Sequence, residues 1–143
     1  VGKMFNDDWM RERGFLDEEI TTAVDLIKGH ADLSLITVKT EELVSHAIER
    51  MREYKISQIP VEDVNGFVGS VDETALLRSY LVDANIADKP IKDVMGASYP
   101  IVKKDASIEE VSKLITKENQ AVLVALENEK YSIITKHDII SAI

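Results

Sequence analysis

"ISQIPVEDVNGFVGSVDETALL" at residues 56–77 and "NQAVLVALENEKYSIITKHDII" at residues 119–140 lie over one another without a gap. The offset is 63 throughout, so that Ile59 falls on Val122, Val61 on Val124, Gly69 on Ser132, Asp72 on Thr135 and Ala75 on Asp138. A repeat fixes the architecture before any single residue is interpreted, because each copy must build the same supersecondary unit. Upstream of these stretches, "LITVKTEELVSHAIERM" at 35–51 matches "YPIVKKDASIEEVSKLI" at 99–115 with one or two residues of slip.

The apolar period changes within each unit in a readable order. "LITV" is a short β-rich run. From Thr40, the residues Leu43, Ala47, Ile48 and Met51 follow helical spacing, with Glu41 and Glu42 in a first turn where the helix dipole favours anions. "QIPV" and "GFVGSV" read as paired strands, and Asn65-Gly66 reads as their turn because both residues tolerate positive φ. A helix carrying Leu76, Leu77, Tyr80 and Leu81 then opens at Asp72. In the second unit Ala106 or Ser107 opens a helix striped by Ile108, Val111, Leu114 and Ile115. "AVLVAL" and "YSIIT" are its strands, and Ile139, Ile140 and Ile143 follow Asp138. The fold class expected is α/β of the α+β type, with two β-α-β-β-α repeats packed pseudo-symmetrically, since a single three-stranded unit has too little core to stand alone. Residues 1–16 form a lead-in, 17–82 the first unit with a leading helix over 17–28, 83–98 a linker with a helical turn at Ile91–Met95, and 99–143 the second unit.

Composition removes several functions. The 143 residues are 45% hydrophobic, and 17 Lys plus Arg against 26 Asp plus Glu give a net charge of −9. Without a surplus of cations to displace counterions, neither nucleic acid nor an anionic membrane is an expected partner. There is no cysteine, hence no disulfide or thiolate site. His30, His46 and His137 are far apart and form no H-x-x-x-H pattern, so no metal site is expected. The longest apolar run, "AVLVAL" at 121–126, is far short of the ~20 residues of a membrane span. The amino terminus is too polar and acidic for a signal peptide, so a cytoplasmic location is expected. An opening Val1 fits a piece cut from a longer chain, as it would fit removal of a tag. No nucleophile motif, Gly-rich phosphate loop or cofactor lysine is recognisable, and no catalysis is expected of this fragment.

The turn Thr135-x-x-Asp138 sits where a strand ends and a helix begins, and two readings fit it. The pair can be a capping box, Thr135 holding the helix start and Asp138 reaching back. Alternatively, the helix dipole, the Thr135 hydroxyl and the Asp138 carboxylate can grip the vicinal hydroxyls of a ribose.

The ordered set of helix, "QIPV", Asn-Gly, "VGSV" and the turn in "SIITKHDII", present twice, resembles a tandem pair of cystathionine-β-synthase (CBS) motifs, the module called a Bateman domain, over about residues 30–143. The resemblance implies a disc-like homodimer formed through the CBS helices, and an adenosyl-ligand cleft between the repeats. By family position that cleft is made by Leu35, Ile36 and Thr37, by Ile56, Ser57, Gln58 and Ile59, and by Thr135, His137 and Asp138; Ile56 and Ile59 fit plain core positions equally well. A second cleft would involve Asp72, Ala75, Tyr99, Pro100 and Ile101 with Asn119, Gln120, Ala121 and Val122. Ala75 lacks the ribose carboxylate, and Asp72 and Glu73 repel phosphate, so one working site per chain is expected. With only Lys136 and His137 beside the turn on an acidic chain, S-adenosylmethionine is favoured over ATP or AMP, although Lys136 and Lys55 leave AMP open. "MFNDDWMRERGFL" at 4–16 resembles the connector to the catalytic core in bacterial cystathionine β-synthases. It implies a covalently linked enzyme dependent on pyridoxal phosphate (PLP), with PLP only in that absent core, under allosteric control by this module. The alternatives are a structural dimerisation module whose turns are only caps, and a nucleotide-sensing CBS pair of another parent protein.

Overall fold

A computed structural model of the chain describes residues 22–27, 35–116 and 119–142. The connector expected over 1–16, the start of the leading helix, His30 and Ile143 lie outside the described residues. After a short helix α1 (Ala23–Leu26), the first repeat runs β1 (Val38–Lys39), α2 (Val44–Tyr54), β2 (Gln58–Asp63), β3 (Gly66–Asp72), α3 (Glu73–Val82). The second runs β4 (Ile101–Lys103), α4 (Ile108–Leu114), β5 (Ala121–Ala125), β6 (Tyr131–Thr135), α5 (Lys136–Ala142).

Each repeat makes its own three-stranded sheet, β1-β2-β3 and β4-β5-β6. The outer pair is parallel, Val38 opposite Val61 and Val102 opposite Val124, which requires a crossover helix; the inner pair is antiparallel and closes as a hairpin. The 63-residue offset of the sequence thus survives in the hairpin pairing from Gln58–Asp72 to Val61–Gly69, beyond which the first sheet alone has a bulge between Val61 and Glu62. β5 is buried on both faces. Val122 and Val124 enter a core with Val102, Val111 and Ile134, while Ala121 and Leu123 join Tyr99 in a small cluster against Leu35, Phe67 and Ile133. That double burial is why "AVLVAL" reads as an unbroken apolar run rather than an alternating one. The first repeat has its own core, built on Val38, Val44, Met51, Ile59, Val61 and Val71.

Segments outside the repeats complete these cores. Ile86 and Ile91 of the linker fill the first, and the Val44 N–H donates to the Lys89 carbonyl at 2.8 Å. Reciprocally, α1 packs on the core of the second repeat rather than on the first unit with which the sequence groups it, its Ala23 N–H donating to the Ala106 carbonyl at 2.8 Å. Gly96 exchanges backbone hydrogen bonds with Ser70 at 2.8 and 3.2 Å, so the linker lies along β3. There a Cβ on Gly69 would stand 2.6 Å from Met95 Sδ and 2.8 Å from the Gly96 carbonyl oxygen, which excludes any side chain at rest.

Several local expectations shift. The hairpin turn is Val64-Asn65, and only Gly66, at φ 119°, takes the positive φ anticipated for both Asn65 and Gly66. Helix α2 begins at Val44, so Leu43 is its N-cap and 37% exposed, while Val44 fills the core. The linker turn is a 3-10 turn over Ile91–Asp93. On α3 only Leu76 is buried; Leu77, Tyr80 and Leu81 face outward.

Since α2 starts late, Glu42 precedes it and does different work. Its carboxylate accepts from both Arg50 guanidinium nitrogens, at 2.9 and 3.1 Å, and from the Lys39 N–H at 2.9 Å, while Arg50 also donates to the Thr37 carbonyl. The Arg50 hydrogen bonds, first among the causes, hold the Glu42 pKa below the ordinary carboxylate value. A depressed folded-state pKa stabilises above the unfolded value and ceases to do so as pH falls through the folded one. The stability difference between wild type and Glu42→Gln, about 1 kcal/mol at neutral pH for a partly exposed pair, should therefore shrink as pH drops below about 4. Urea melts at pH 7 and 3 measure it; a difference unchanged between them contradicts the assignment.

Candidate functional site: the cleft between the repeats

A cavity of about 860 Å³ opens between the two repeats. Leu35 and Ile36 enter it from the approach to β1, and Ile56, Ser57, Gln58 and Pro60 from the start of β2. The second repeat contributes Gln120, Ser132 and Ile133, and the helix-start turn from Thr135 to Asp138. Tyr54, Lys55, Lys136 and His137 stand at its exposed mouth.

Local rules place these groups. Lys55 ends α2 in the left-handed region, φ 56° and ψ 47°, and its N–H caps the Met51 carbonyl. A non-glycine residue pays about 1 kcal/mol for that conformation, but it swings the chain off the helix axis and presents Ile56–Gln58 to the cleft. The same turn is tied across α3, because the Ser57 carbonyl accepts from the Glu73 N–H at 3.0 Å. On the facing wall Ile133 and Thr135, two apart on β6, share one face. Asp138 accepts at Oδ2 from the Thr135 N–H at 2.8 Å and from the Thr135 hydroxyl at 3.1 Å, so its carboxylate reaches back to the helix start as the capping reading expects. Thr22 and Asp25 form the same box on α1, at 3.1 Å for both bonds, on residues that do not line the cleft. The box alone is therefore structural in both places; what distinguishes Asp138 is the cavity in front of it.

Eight of the residues expected for the first cleft line it: Leu35, Ile36, Ile56, Ser57, Gln58, Thr135, His137 and Asp138. Thr37 does not, since its hydroxyl donates to Glu62 Oε2 at 2.7 Å; nor does Ile59, which is 0% exposed in the first core. Tyr54, Pro60, Ser132 and Ile133 were not foreseen. Strand alternation would have found two of them, since Pro60 shares the face of Gln58 and Ile133 that of Thr135.

The residues assigned to a second cleft have different surroundings. Gln120 lines the first cavity, Val122 is in the second core, and Ala121 and Tyr99 belong to the central cluster. Asp72 caps α3, its Oδ1 accepting from the Ala75 N–H at 2.8 Å, while the Pro100 carbonyl accepts from Leu123 at 2.8 Å and Ile101 is 49% exposed. Asn119 is partly exposed. Tyr99 is 4% exposed, and among the described residues no geometric hydrogen bond to its hydroxyl is found. Burial drives its pKa well above the ordinary phenol value, opposed by the nearby Ser70 side chain and reinforced by the Asp72 charge; the Ser70 hydroxyl itself donates to the Ala97 carbonyl at 2.7 Å. Among the described residues no group of three or more His, Asp or Glu could hold a metal, and no helix is long and apolar enough to cross a membrane.

Two matched β-α-β-β-α units with a cleft between them, one wall from each, define a tandem-repeat module. The chain belongs to the CBS-domain family, whose model matches residues 18–82 and 91–143. It is similar in fold to a CBS-domain-containing protein from Agrobacterium tumefaciens, with 17% identity, 90% of this chain and 98% of that one covered, and a TM-score of 0.77. A putative signal-transduction protein with CBS domains from Burkholderia ambifaria matches at 22% identity over 85% of this chain and 93% of that one, TM-score 0.76. CBSX2, solved in complex with AMP, matches at 25% identity over 76% of this chain and 86% of that one, TM-score 0.59.

Proposed function

We propose that this chain is a regulatory module that binds an adenosyl ligand in the cleft between its repeats, the base against Leu35, Ile36 and Ile56–Gln58 and the ribose at Thr135 and Asp138. The observation that carries the reading is the cavity itself, which sets the Thr-x-x-Asp turn opposite those apolar and amide groups within a volume of about 860 Å³, inside the range of small-molecule pockets. The bound AMP of CBSX2 is consistent with it. Charge now bears on the ligand differently than in the sequence alone. Lys55, Lys136 and His137 meet at one mouth with Asp138 as the carboxylate among the lining residues, which suits an anionic tail. AMP is accordingly favoured, whereas the sulfonium and amine of S-adenosylmethionine would meet the same two lysines, and ATP would bring about four negative charges to them.

Ligand binding would bias the arrangement of the repeats and so act on a linked domain. A PLP-dependent cystathionine β-synthase-like enzyme is the parent suggested by the resemblance of residues 4–16, which lie outside the described residues. A homodimer would use the outward face of α3, where Leu77, Tyr80 and Leu81 are 60, 53 and 75% exposed, together with Ile140 on α5 at 62%. Thermal melts with AMP, S-adenosylmethionine and ATP test the reading, because a ligand held only by the folded state stabilises by about 2.7 kcal/mol at a hundred times its Kd. AMP should raise Tm most. A larger rise with S-adenosylmethionine would restore the preference drawn from overall charge, and no rise with any of the three would leave Thr135 and Asp138 as a helix cap.

A further inference from the structure

Pseudo-symmetry predicts a second cleft, and the structure has a side chain in its place. Val38 and Val102 are equivalent, each opposite a central valine, Val61 or Val124. Three residues before them stand Leu35 and Tyr99. Leu35 lines the first cavity, whereas Tyr99 is 4% exposed and clusters with Ala121 and Leu123. At the 63-residue offset Ala121 and Leu123 correspond to Gln58 and Pro60, both of which line the first cavity. The Ser70 side chain and the Asp72 charge, the counterparts of Ile133 and Thr135 on the opposite wall of the first cleft, lie close enough to act on the Tyr99 hydroxyl. A tyrosine packed on the equivalents of one wall therefore occupies the space whose counterpart Leu35 leaves open in the first cleft. At 4% exposure the ring is closed off from solvent where Leu35 borders an open cavity.

We propose that Tyr99 is a built-in occupant of the second cleft, its ring standing where the ligand's base lies in the first, so that one chain takes one ligand. The ligand class rests on the adenosyl reading of the first cleft. The second obstacle is Ala75, which offers no carboxylate to a ribose. Removing the ring and supplying the carboxylate should together open the site to adenosine, chosen because Asp72 and Glu73 disfavour a phosphate at that mouth.

Calorimetric titration with adenosine of wild type, Ala75→Asp and Tyr99→Leu/Ala75→Asp decides. Tyr99→Leu gives the second repeat the residue that the first has. The double variant should bind one adenosine per chain more than wild type, and Ala75→Asp alone should bind no more than wild type. Tyr99→Phe should match wild type in stoichiometry, because the ring remains in place. Two adenosines on the wild-type chain, a second on Ala75→Asp with Tyr99 in place, or no gain in a cooperatively melting double variant would each overturn the proposal. A wild-type chain that binds none, beside a double variant that binds one, would support the plug while refuting the ligand reading of the first cleft. If the double variant does not fold, the wild-type and Ala75→Asp counts decide alone.

Discussion

Asp138→Ala is expected to lower affinity for AMP about ten- to a hundredfold. A hydrogen bond to a charged group contributes roughly 1.5–3 kcal/mol, and ~1.4 kcal/mol is tenfold in Kd. The substitution also removes the acceptor for the Thr135 N–H and hydroxyl, so part of any loss could come from fraying of α5. Asp25→Ala separates the two. It breaks the same box on α1, where Asp25 accepts from the Thr22 N–H and hydroxyl at 3.1 Å, on a residue that does not line the cleft. Titration with AMP and a thermal melt of both variants should give comparable losses of stability, of order 1 kcal/mol, but a loss of affinity in Asp138→Ala alone. Equal AMP affinity in the two would mean that the carboxylate of Asp138 only caps its helix.

The second large effect concerns assembly. Leu77→Asp/Leu81→Asp should convert the proposed dimer to monomers, raising its dissociation constant by at least about a thousandfold. Each buried leucine contributes roughly 1.5–3 kcal/mol, and two-fold symmetry counts each substitution twice. Both side chains are mostly exposed within one chain, at 60 and 75%, so the monomer should keep its circular dichroism and melt cooperatively. Val64→Asp is the control, since Val64 is 99% exposed at the hairpin tip, away from α3. Sedimentation equilibrium should find wild type and Val64→Asp dimeric. A monomeric wild type, or an unchanged dimer in the double variant, would place the interface elsewhere or remove it.

These expectations show what the chain discloses before it folds. The repeat was legible because hydrophobic period follows secondary structure, and the offset that aligned Val61 with Val124 reappears as their shared place in the two sheets. The late start of α2 was not legible. The Thr40 and Glu42 carbonyls accept from Lys92 and Ile91 of the linker, a tertiary demand that no local spacing encodes. The stripe on α3 was read correctly as apolar, yet spacing cannot say whether the surface that covers it belongs to the same chain. In the cleft, family position supplied Ile59 where alternation would have excluded it, because its neighbours Gln58 and Pro60 face the cavity and Ile59 faces the core. Gln120, expected at the second cleft, lines the first, a placement that the offset alone does not disclose. The left-handed Lys55 gave no signal at all, since lysine has no preference for that region.

The central claim is that the inter-repeat cleft is a ligand site, and isothermal titration of the wild-type chain with AMP tests it most directly. The account predicts saturable heat with one AMP per chain. A flat titration from a chain that is folded and melts cooperatively, at concentrations that would reveal a millimolar Kd, would contradict it and leave the Thr135–Asp138 turn as a cap on α5.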